Sequence, residues 1–169
     1  MIQIKLLDDN FTELEKRIRA VEKTDAFVGY DRNESGIHEE SKLPYADLIA
    51  ILSAGVSSKN MPARPIFRYA MKSYDIKASS LRRDLKKYLS NIGSPTPAIS
   101  LDKVYTNWAK GFSKEVLDIF GENPPLAKNS EETIARKGGR NTPLVDTEDL
   151  KDNLGYSIGD KPMKLVKTI

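Results

Sequence analysis

The sequence predicts an α+β fold in which a small antiparallel sheet packs against two long amphipathic helices and several short ones. Two stretches, 66–92 and 101–119, repeat apolar residues at the spacing of an amphipathic helix. Shorter stretches near both ends of the chain alternate apolar and polar residues, as half-buried strands do. The length of 169 residues fits one domain over 1–169, large enough to fold without the disulfides that its lack of cysteine excludes.

The N-terminal part is predicted to hold a strand, a helix and a second strand. The alternation over residues 2–6 predicts the first strand, and Asn10 followed by Glu13 has the capping-box spacing of a helix start. Apolar residues then recur at helical intervals: Phe11, Leu14, Ile18 and Val21. Residues 26–30 predict the second strand, and the polar segment 31–42 predicts a mobile loop.

No stretch has the composition of a membrane-directed segment. Lys5, Asp8 and Asp9 interrupt the apolar core that a secretory signal would need. The longest apolar run, 48–52, is far shorter than the about 20 residues of a membrane-spanning helix. We therefore expect synthesis and folding in a cytoplasm, and no membrane partner.

Prolines and a glycine punctuate the segment before the first long helix. A brief helix is predicted over 45–52, ended by Gly55. Pro62 and Pro65 then exclude helix until about residue 65. Arg64 lies between them, and its guanidinium has donors for several acceptors, either within its own fold or on a neighbouring subunit.

Two long amphipathic helices follow. The first is predicted over 66–92, roughly 27 residues and 40 Å long, with its apolar side chains within an arc of about 100°. That face is expected to be buried and consists of Phe67, Ala70, Met71, Tyr74, Ala78, Leu81, Leu85, Tyr88, Leu89 and Ile92. After a break at 93–97, Ser100 caps the second helix, which should pack antiparallel to the first. Its aromatic residues are expected in the core: Tyr105, Trp108 and Phe112.

The C-terminal part is more punctuated. A small helix is predicted over 130–137, followed by a basic glycine-rich loop at 137–140. Asp146 or Thr147 is expected to cap a further helical turn within 149–154.

The loop before that turn is expected to dock onto the core through Pro143 and Leu144. Strands at 156–158 and 163–166 are joined by a turn at 159–162, and residues 159–169 are a candidate C-terminal arm.

The net charge of +3 is too small to indicate a nucleic-acid partner, but its distribution is uneven. Between residues 60 and 92 eight basic residues stand against two acidic ones, a local charge of +6, so the rest of the chain carries about −3. On the face opposite the apolar one, four cations line up within about 60°: Arg68, Lys72, Arg83 and Lys86. This basic stripe is either a solvated helix face or a contact for an anionic surface.

The sequence does not favour an enzyme. His38, beside Glu39 and Glu40, matches no zinc spacing, and no serine-hydrolase motif accompanies it. The loop 137–140 lacks the spacing of a phosphate-binding loop. Helix caps and exposed turns explain the paired carboxylates of Asp8, Asp9, Asp146, Glu148 and Asp149 more simply than a nuclease metal site. We expect no catalytic residue, metal or other cofactor.

Two stretches together resemble a known family. Residues 61–70, Met-Pro-Ala-Arg-Pro-Ile-Phe-Arg-Tyr-Ala, resemble the IPARPF signature of the neck, tail-completion and minor tail protein Z-like proteins of long-tailed bacteriophages. Some sixty residues later, 125–158 resembles the PL, TI, K and PLIDTG pattern that ends those proteins. Glu148 stands where the family pattern has glycine, and Ser53-Ala54-Gly55 stands where it has Glu-Phe-Gly. The resemblance spans 45–158.

The resemblance implies a small α+β protein that joins the filled capsid to the tail, commonly as a ring, without catalytic activity. We expect a homo-oligomeric ring of six copies, with twelve as the alternative. Its neighbours would be a portal, adaptor or head-closure protein and a tail terminator or tail tube protein, with DNA passing non-specifically. The expected location is the head–tail junction of the virion, after assembly in the host cytoplasm.

The expected subunit interface combines the basic stripe with the motif residues: Arg64, Arg68, Lys72, Arg83, Lys86, Asp146 and Thr147. An alternative function is a DNA-binding or regulatory helical protein that places the same stripe on the phosphate backbone. A metal-dependent nuclease ranks last.

Overall fold

A computed structural model describes residues 2–77, 79–90, 92–94, 96–120, 125–145 and 148–166, with the backbone alone for 2–9, 75–77, 79 and 80. Within these ranges the chain forms seven α-helices, a short 3-10 turn and three strands, so the predicted α+β class is confirmed. The helices are α1 Ile2–Lys23, α2 Tyr45–Ala54, α3 Ile66–Lys77, α4 Ser79–Leu89, α5 Leu101–Leu117, α6 Glu131–Arg136 and α7 Asp149–Asp152. The strands are β1 Ala26–Gly29, β2 Gly155–Ile158 and β3 Lys164–Leu165. No helix in the described ranges is long and apolar enough to cross a bilayer.

The predicted antiparallel packing of the long helices is confirmed by two polar contacts. Ser73 Oγ donates to Glu115 Oε2 at 2.7 Å, which joins α3 to the C-terminal half of α5. Asn107 Nδ2 donates to Asp84 Oδ2 at 3.0 Å, which joins α4 to the N-terminal half of α5. The earlier helix α3 thus meets the end of α5, and the later helix α4 meets its beginning. The helix α5 therefore runs antiparallel to α3 and α4.

The aromatic residues of α5 contribute to the core as predicted. Phe112 is buried and Trp108 stacks on it, with ring centroids 5.7 Å apart and planes 5° from parallel. The Tyr105 hydroxyl donates to the Val21 carbonyl at 3.2 Å, which ties α5 to the end of α1. Met71 departs from the prediction, since it is 60% exposed. It lies about 100° around the helix from Ala70, at the edge of the face that α5 covers.

The sheet joins the two ends of the chain in the order β1-β2-β3. Both pairings are antiparallel, with Val28 opposite Tyr156 and Tyr156 opposite Lys164. The side chains of Val28 and Tyr156 belong to the buried core, and α5 packs against both β1 and β2. The predicted strands at 26–30 and 156–158 are confirmed, whereas the third is shorter than the predicted 163–166.

The predicted first strand at 2–6 is wrong, because α1 already begins at Ile2. Asn10 therefore lies inside a helix and does not cap one. Ile4 of that alternation also begins a longer repeat with helical spacing of three and four: Ile4, Leu7, Phe11, Leu14, Ile18 and Val21. No proline or glycine interrupts that repeat, so the longer helical period prevails over the shorter strand pattern.

The predicted helix over 66–92 corresponds to α3 and α4, with Ala78 outside the described residues. Helical structure ends at Leu89, three residues earlier than predicted. Arg17 of α1 explains this end, because its guanidinium donates to the carbonyls of Tyr88 and Ser90 at 3.0 and 2.9 Å. A cation at the last carbonyls of a helix satisfies them and interacts favourably with the helix dipole.

The short helices begin and end largely where the sequence predicts. Gly55 ends α2 with φ of 72°, and a Cβ there would lie 2.6 Å from the Ala63 nitrogen, so the position requires glycine. Ser100 and Ser130 cap α5 and α6 by accepting backbone N–H groups. The N-cap of α7 is Glu148, whose side chain makes no capping hydrogen bond. Asp146 and Thr147, predicted for that role, lie outside the described residues.

Candidate functional site

Arg64 joins the two stretches of the sequence that carry the family resemblance. Its side chain is 7% exposed and donates through Nε to the Ala127 carbonyl at 3.1 Å. Its Nη2 donates to the Lys128 carbonyl at 3.0 Å and to Asn129 Oδ1 at 3.2 Å. The internal role proposed for Arg64 is therefore the one that its contacts support. We call this set of contacts the motif junction.

The prolines on either side of Arg64 position it for this role. Pro62 and Pro65 hold the segment non-helical, and α3 begins immediately afterwards at Ile66. The Arg64 backbone N–H donates to the Leu52 carbonyl of α2 at 2.9 Å, so main chain and side chain bind different elements. Arg64 thus links α2, the start of α3 and the segment before α6.

Burial governs the electrostatics of the motif junction. Desolvation lowers the pKa of Arg64, yet guanidinium pKa values start so high that the group keeps its charge at neutral pH. The oxygens that accept from it are carbonyl and amide oxygens. Hydrogen bonds from a charged donor are roughly twice as strong as neutral ones.

The loop at 137–145 is held by its own lysine. Lys137 Nζ donates to the carbonyls of Thr142 and Val145, at 3.1 and 2.5 Å. Its ammonium thus serves the fold, which is a structural role and not the phosphate contact considered for this loop. Pro143 is fully buried and Leu144 packs against the core, so the predicted docking of this loop is confirmed.

A cleft of about 800 Å³ borders the motif junction. Residues of both resemblance stretches line it, including Met61 from the first and Thr133 from the second. Its rim carries mixed charge, since Arg136 and Glu40 form an exposed ion pair at 3.7 Å. Mixed charge on an open cleft favours no single class of small ligand.

The residues of the predicted basic stripe are all exposed. We use the name basic surface for six cations of α3 and α4: Arg68, Lys72, Arg82, Arg83, Lys86 and Lys87. Arg83 approaches Asp84 at 3.7 Å, but in the described part of the chain Arg68, Lys72 and Lys86 form no ion pair. Their charges are therefore available to another molecule.

The chemical candidates of the sequence that the structure describes form no catalytic or metal-binding cluster. His38 Nδ1 lies 2.9 Å from Ser41 Oγ, and its ring contacts Tyr45 edge-on. Among the residues that the structure describes, no group of three or more His, Asp or Glu side chains could hold a metal ion. The exposed Glu148 pairs with the half-buried Lys151 at 3.8 Å. The side chains of Asp8 and Asp9, and Asp146, lie outside the described residues.

Two features of α1 were not predicted as functional. Arg17 is 3% exposed and holds the end of α4, although its spacing from Glu13 is typical of a surface ion pair. Phe11 and Ile18 are 75% and 41% exposed, although they belong to the apolar repeat of this helix. The sequence signal for this apolar face was the regular spacing of three and four residues.

Comparisons with protein-family models, with curated proteins and with solved structures find no match to this chain.

Proposed function

We propose that this protein is a structural virion protein of a tailed bacteriophage that forms a ring at the head–tail junction. In that ring it joins capsid to tail, contacts a portal, adaptor or head-closure protein on one side and a tail terminator or tail tube protein on the other, and lets the genome pass. It acts without catalysis or a cofactor.

The observation that carries this proposal is the motif junction. The two resemblance stretches lie far apart in the chain, and Arg64 and Ala127 are separated by 63 residues. Their direct contact gives a physical reason for the two motifs to occur together, because each supplies one side of the same set of hydrogen bonds. A chance likeness of two short stretches would not require that contact.

The distribution of charge supports self-assembly. The basic surface belongs to the segment with a local charge of +6, while the rest of the chain carries about −3. Opposite charges on different patches of one chain attract between copies and set their orientation. A contact between two different patches generates a ring when the rotation closes. Within the predicted interface, Arg64 serves the fold, Arg68, Lys72, Arg83 and Lys86 remain candidates, and Asp146 and Thr147 stay predictions.

Light scattering over a range of protein and salt concentrations tests the ring. We expect a mass six or twelve times 18.9 kDa that falls as salt rises. Replacing Arg68, Lys72, Arg83 and Lys86 together by Glu should abolish that mass and leave the circular dichroism spectrum unchanged. Intact rings in this four-Glu variant would reject the basic surface as interface.

The same exposed cations favour a second candidate, a DNA-binding or regulatory protein. Arg68, Lys72 and Lys86 have no ion pair in the described part of the chain, so phosphates could take that place. This candidate predicts a monomer or small oligomer whose affinity for duplex DNA falls steeply with salt and is lost in the four-Glu variant. Ring mass without DNA, and no DNA binding at physiological salt, would exclude it.

A further inference from the structure

One face of α1 fixes the helix to the fold while the adjoining face is left exposed. Arg17 binds the end of α4, and the Val21 carbonyl accepts the Tyr105 hydroxyl. Around the helix, Phe11 and Ile18 are 75% and 41% exposed, with Leu14 half-buried between them. These side chains line a shallow groove of about 410 Å³. The exposed face is therefore held in a fixed position, as a docking surface requires.

The spacing and charge of this face suit a helical partner. Phe11, Leu14 and Ile18 follow one another by three and four residues, which is the spacing of a seam between two packed helices. Glu15 and Glu22 follow the same edge seven residues apart. Arg19 pairs with Glu15 at 2.6 Å, but an exposed pair within one helix holds its partners weakly. A fitting partner is apolar at its centre and basic at its edge.

The chain itself carries a surface with that chemistry. Met71 of α3 is 60% exposed, and the exposed cations Arg68 and Lys72 are its near neighbours on the same helix. Methionine adapts to irregular partner surfaces, and exposed methionines are frequent at interfaces. Phe11 and Met71 are both exposed within one copy, so their surfaces do not cover each other there. The complementarity can be satisfied between two copies.

Pairing of α1 with a second α1 is disfavoured. In an antiparallel pair the edges carrying Glu15 and Glu22 would lie side by side, which brings like charges together. In a parallel pair the partner would need the edge that Arg17 uses to bind α4. Neither arrangement uses the basic surface.

We propose that α1 of one copy packs through Phe11, Leu14 and Ile18 onto the exposed surface of α3 around Met71 of a second copy. Met71 lies against the apolar stripe, and the cations beside it face Glu15 and Glu22. Since the two patches differ, the contact is heterologous and repeats from copy to copy until a ring closes. This inference rests on the proposed function and names the contact that would build its ring.

Disulfide trapping tests the contact directly, because the native chain contains no cysteine. A chain with both Ile18→Cys and Met71→Cys should form a ladder of covalent oligomers under mild oxidation, up to the ring size. Each single-cysteine chain should stay uncrosslinked. Dimers from Ile18→Cys alone would instead establish pairing between α1 helices and overturn the proposal.

Charge reversal tests the same contact without oxidation. Glu15→Lys with Glu22→Lys, or Arg68→Glu with Lys72→Glu, should each weaken association at least about tenfold. All four changes in one chain restore opposite charges at every contact and should recover most of the association. Failure of the combined variant to recover any association would contradict a direct meeting of these edges.

A matched pair of apolar positions controls for general effects of added charge. Ile18 on α1 and Ile51 on α2 are 41% and 39% exposed. Ile18→Asp should abolish the ring, whereas Ile51→Asp should leave its mass unchanged. A ring that survives Ile18→Asp, with no ladder in the cysteine pair, overturns this contact and leaves the proposed function standing. A native chain that stays monomeric and forms no ladder contradicts the contact and the ring together.

Discussion

Two sets of cations in this protein have different roles. Arg17 and Arg64 are 3% and 7% exposed, and each binds main-chain carbonyls of residues more than sixty positions away. Arg68 and Lys72 are exposed and, within the described residues, bind no carboxylate. The first set uses its charge to hold the fold, and the second set leaves its charge for another molecule.

Because of this difference, the formal charge of the segment 60–92 is not the charge that a partner meets. The local +6 includes Arg64, whose charge is already committed to three oxygens of its own chain. It also includes Asp84, which is 6% exposed and accepts from Asn107. A partner therefore meets the exposed cations of α3 and α4, and not the formal charge of the segment.

The largest effect on stability is expected at Arg17. Arg17→Met should lower the free energy of unfolding by about 4 kcal/mol, because it leaves Glu13 without its partner and three carbonyls without a donor. Those carbonyls belong to Tyr88, Ser90 and Ser94, so the end of α4 should fray with the loss. Urea unfolding measures the change. The exposed neighbour Lys16→Met is the control, and a loss below about 1 kcal/mol for Arg17→Met would contradict the assigned role.

A slightly smaller effect is expected at Arg64. Arg64→Met should cost about 3 kcal/mol, since it removes three charge-assisted hydrogen bonds. Arg64→Lys should recover only part of this loss, because a single ammonium cannot reproduce the planar set of donors. Amide hydrogen exchange should show the loss of protection concentrated around residues 127–130. An Arg64→Lys variant as stable as the native chain would show that charge matters here more than geometry.

Tyr30 is an uncharged counterpart of these interior donors. Its hydroxyl donates to the Leu150 carbonyl, and burial raises its pKa above the ordinary value of a tyrosine. Tyr30→Phe should cost about 1 kcal/mol at neutral pH, the usual net value of such a hydrogen bond.

The pH dependence of that change has a defined sign. A raised pKa in the folded state means that stability is fully present below a pH of about 10 and is lost as the pH rises further. Each tyrosine with a raised pKa lowers the free energy of unfolding there by at most about 1.4 kcal/mol per pH unit. Tyr30→Phe should make the slope shallower in urea unfolding between about pH 10 and pH 11. Burial also raises the pKa of Tyr45 and Tyr105, so part of the slope should remain.

Much of the fold follows from local chemistry in the sequence. The end of α2 at Gly55 and the start of α3 after Pro65 depend on residues with restricted backbone choices, and both were predictable. The start of α1 was not, because a short alternation also fits a strand until the longer repeat is weighed against it. The exposure of Met71 depends on which part of the apolar arc α5 covers, and no local pattern contains that information.

Part of the candidate site was likewise predictable from the sequence, and part was not. Arg64 between two prolines drew attention in the sequence, and an internal role was one of its two interpretations. Its acceptors at Ala127 and Lys128 are main-chain carbonyls, which leave no signature in the side chains. The contact of Arg17 with the end of α4 was not predictable for a related reason, because Glu13 four residues earlier is a local partner for it. Cations that bind side chains can be paired from sequence, whereas cations that bind backbone require the tertiary structure.

The smallest effect on stability is expected on the basic surface. It is the strictest test of the comparison between buried and exposed cations. Replacing Arg68, Lys72, Arg83 and Lys86 by Met, one at a time, should change the free energy of unfolding by less than about 0.5 kcal/mol each. Methionine keeps an unbranched side chain and a helix propensity close to that of lysine or arginine, so the change reports the charge. If any of the four costs as much as Arg64→Met, that cation belongs to the fold and not to an interface. If all four are neutral while the variant carrying them together loses the ring mass, the charge of α3 and α4 acts between molecules.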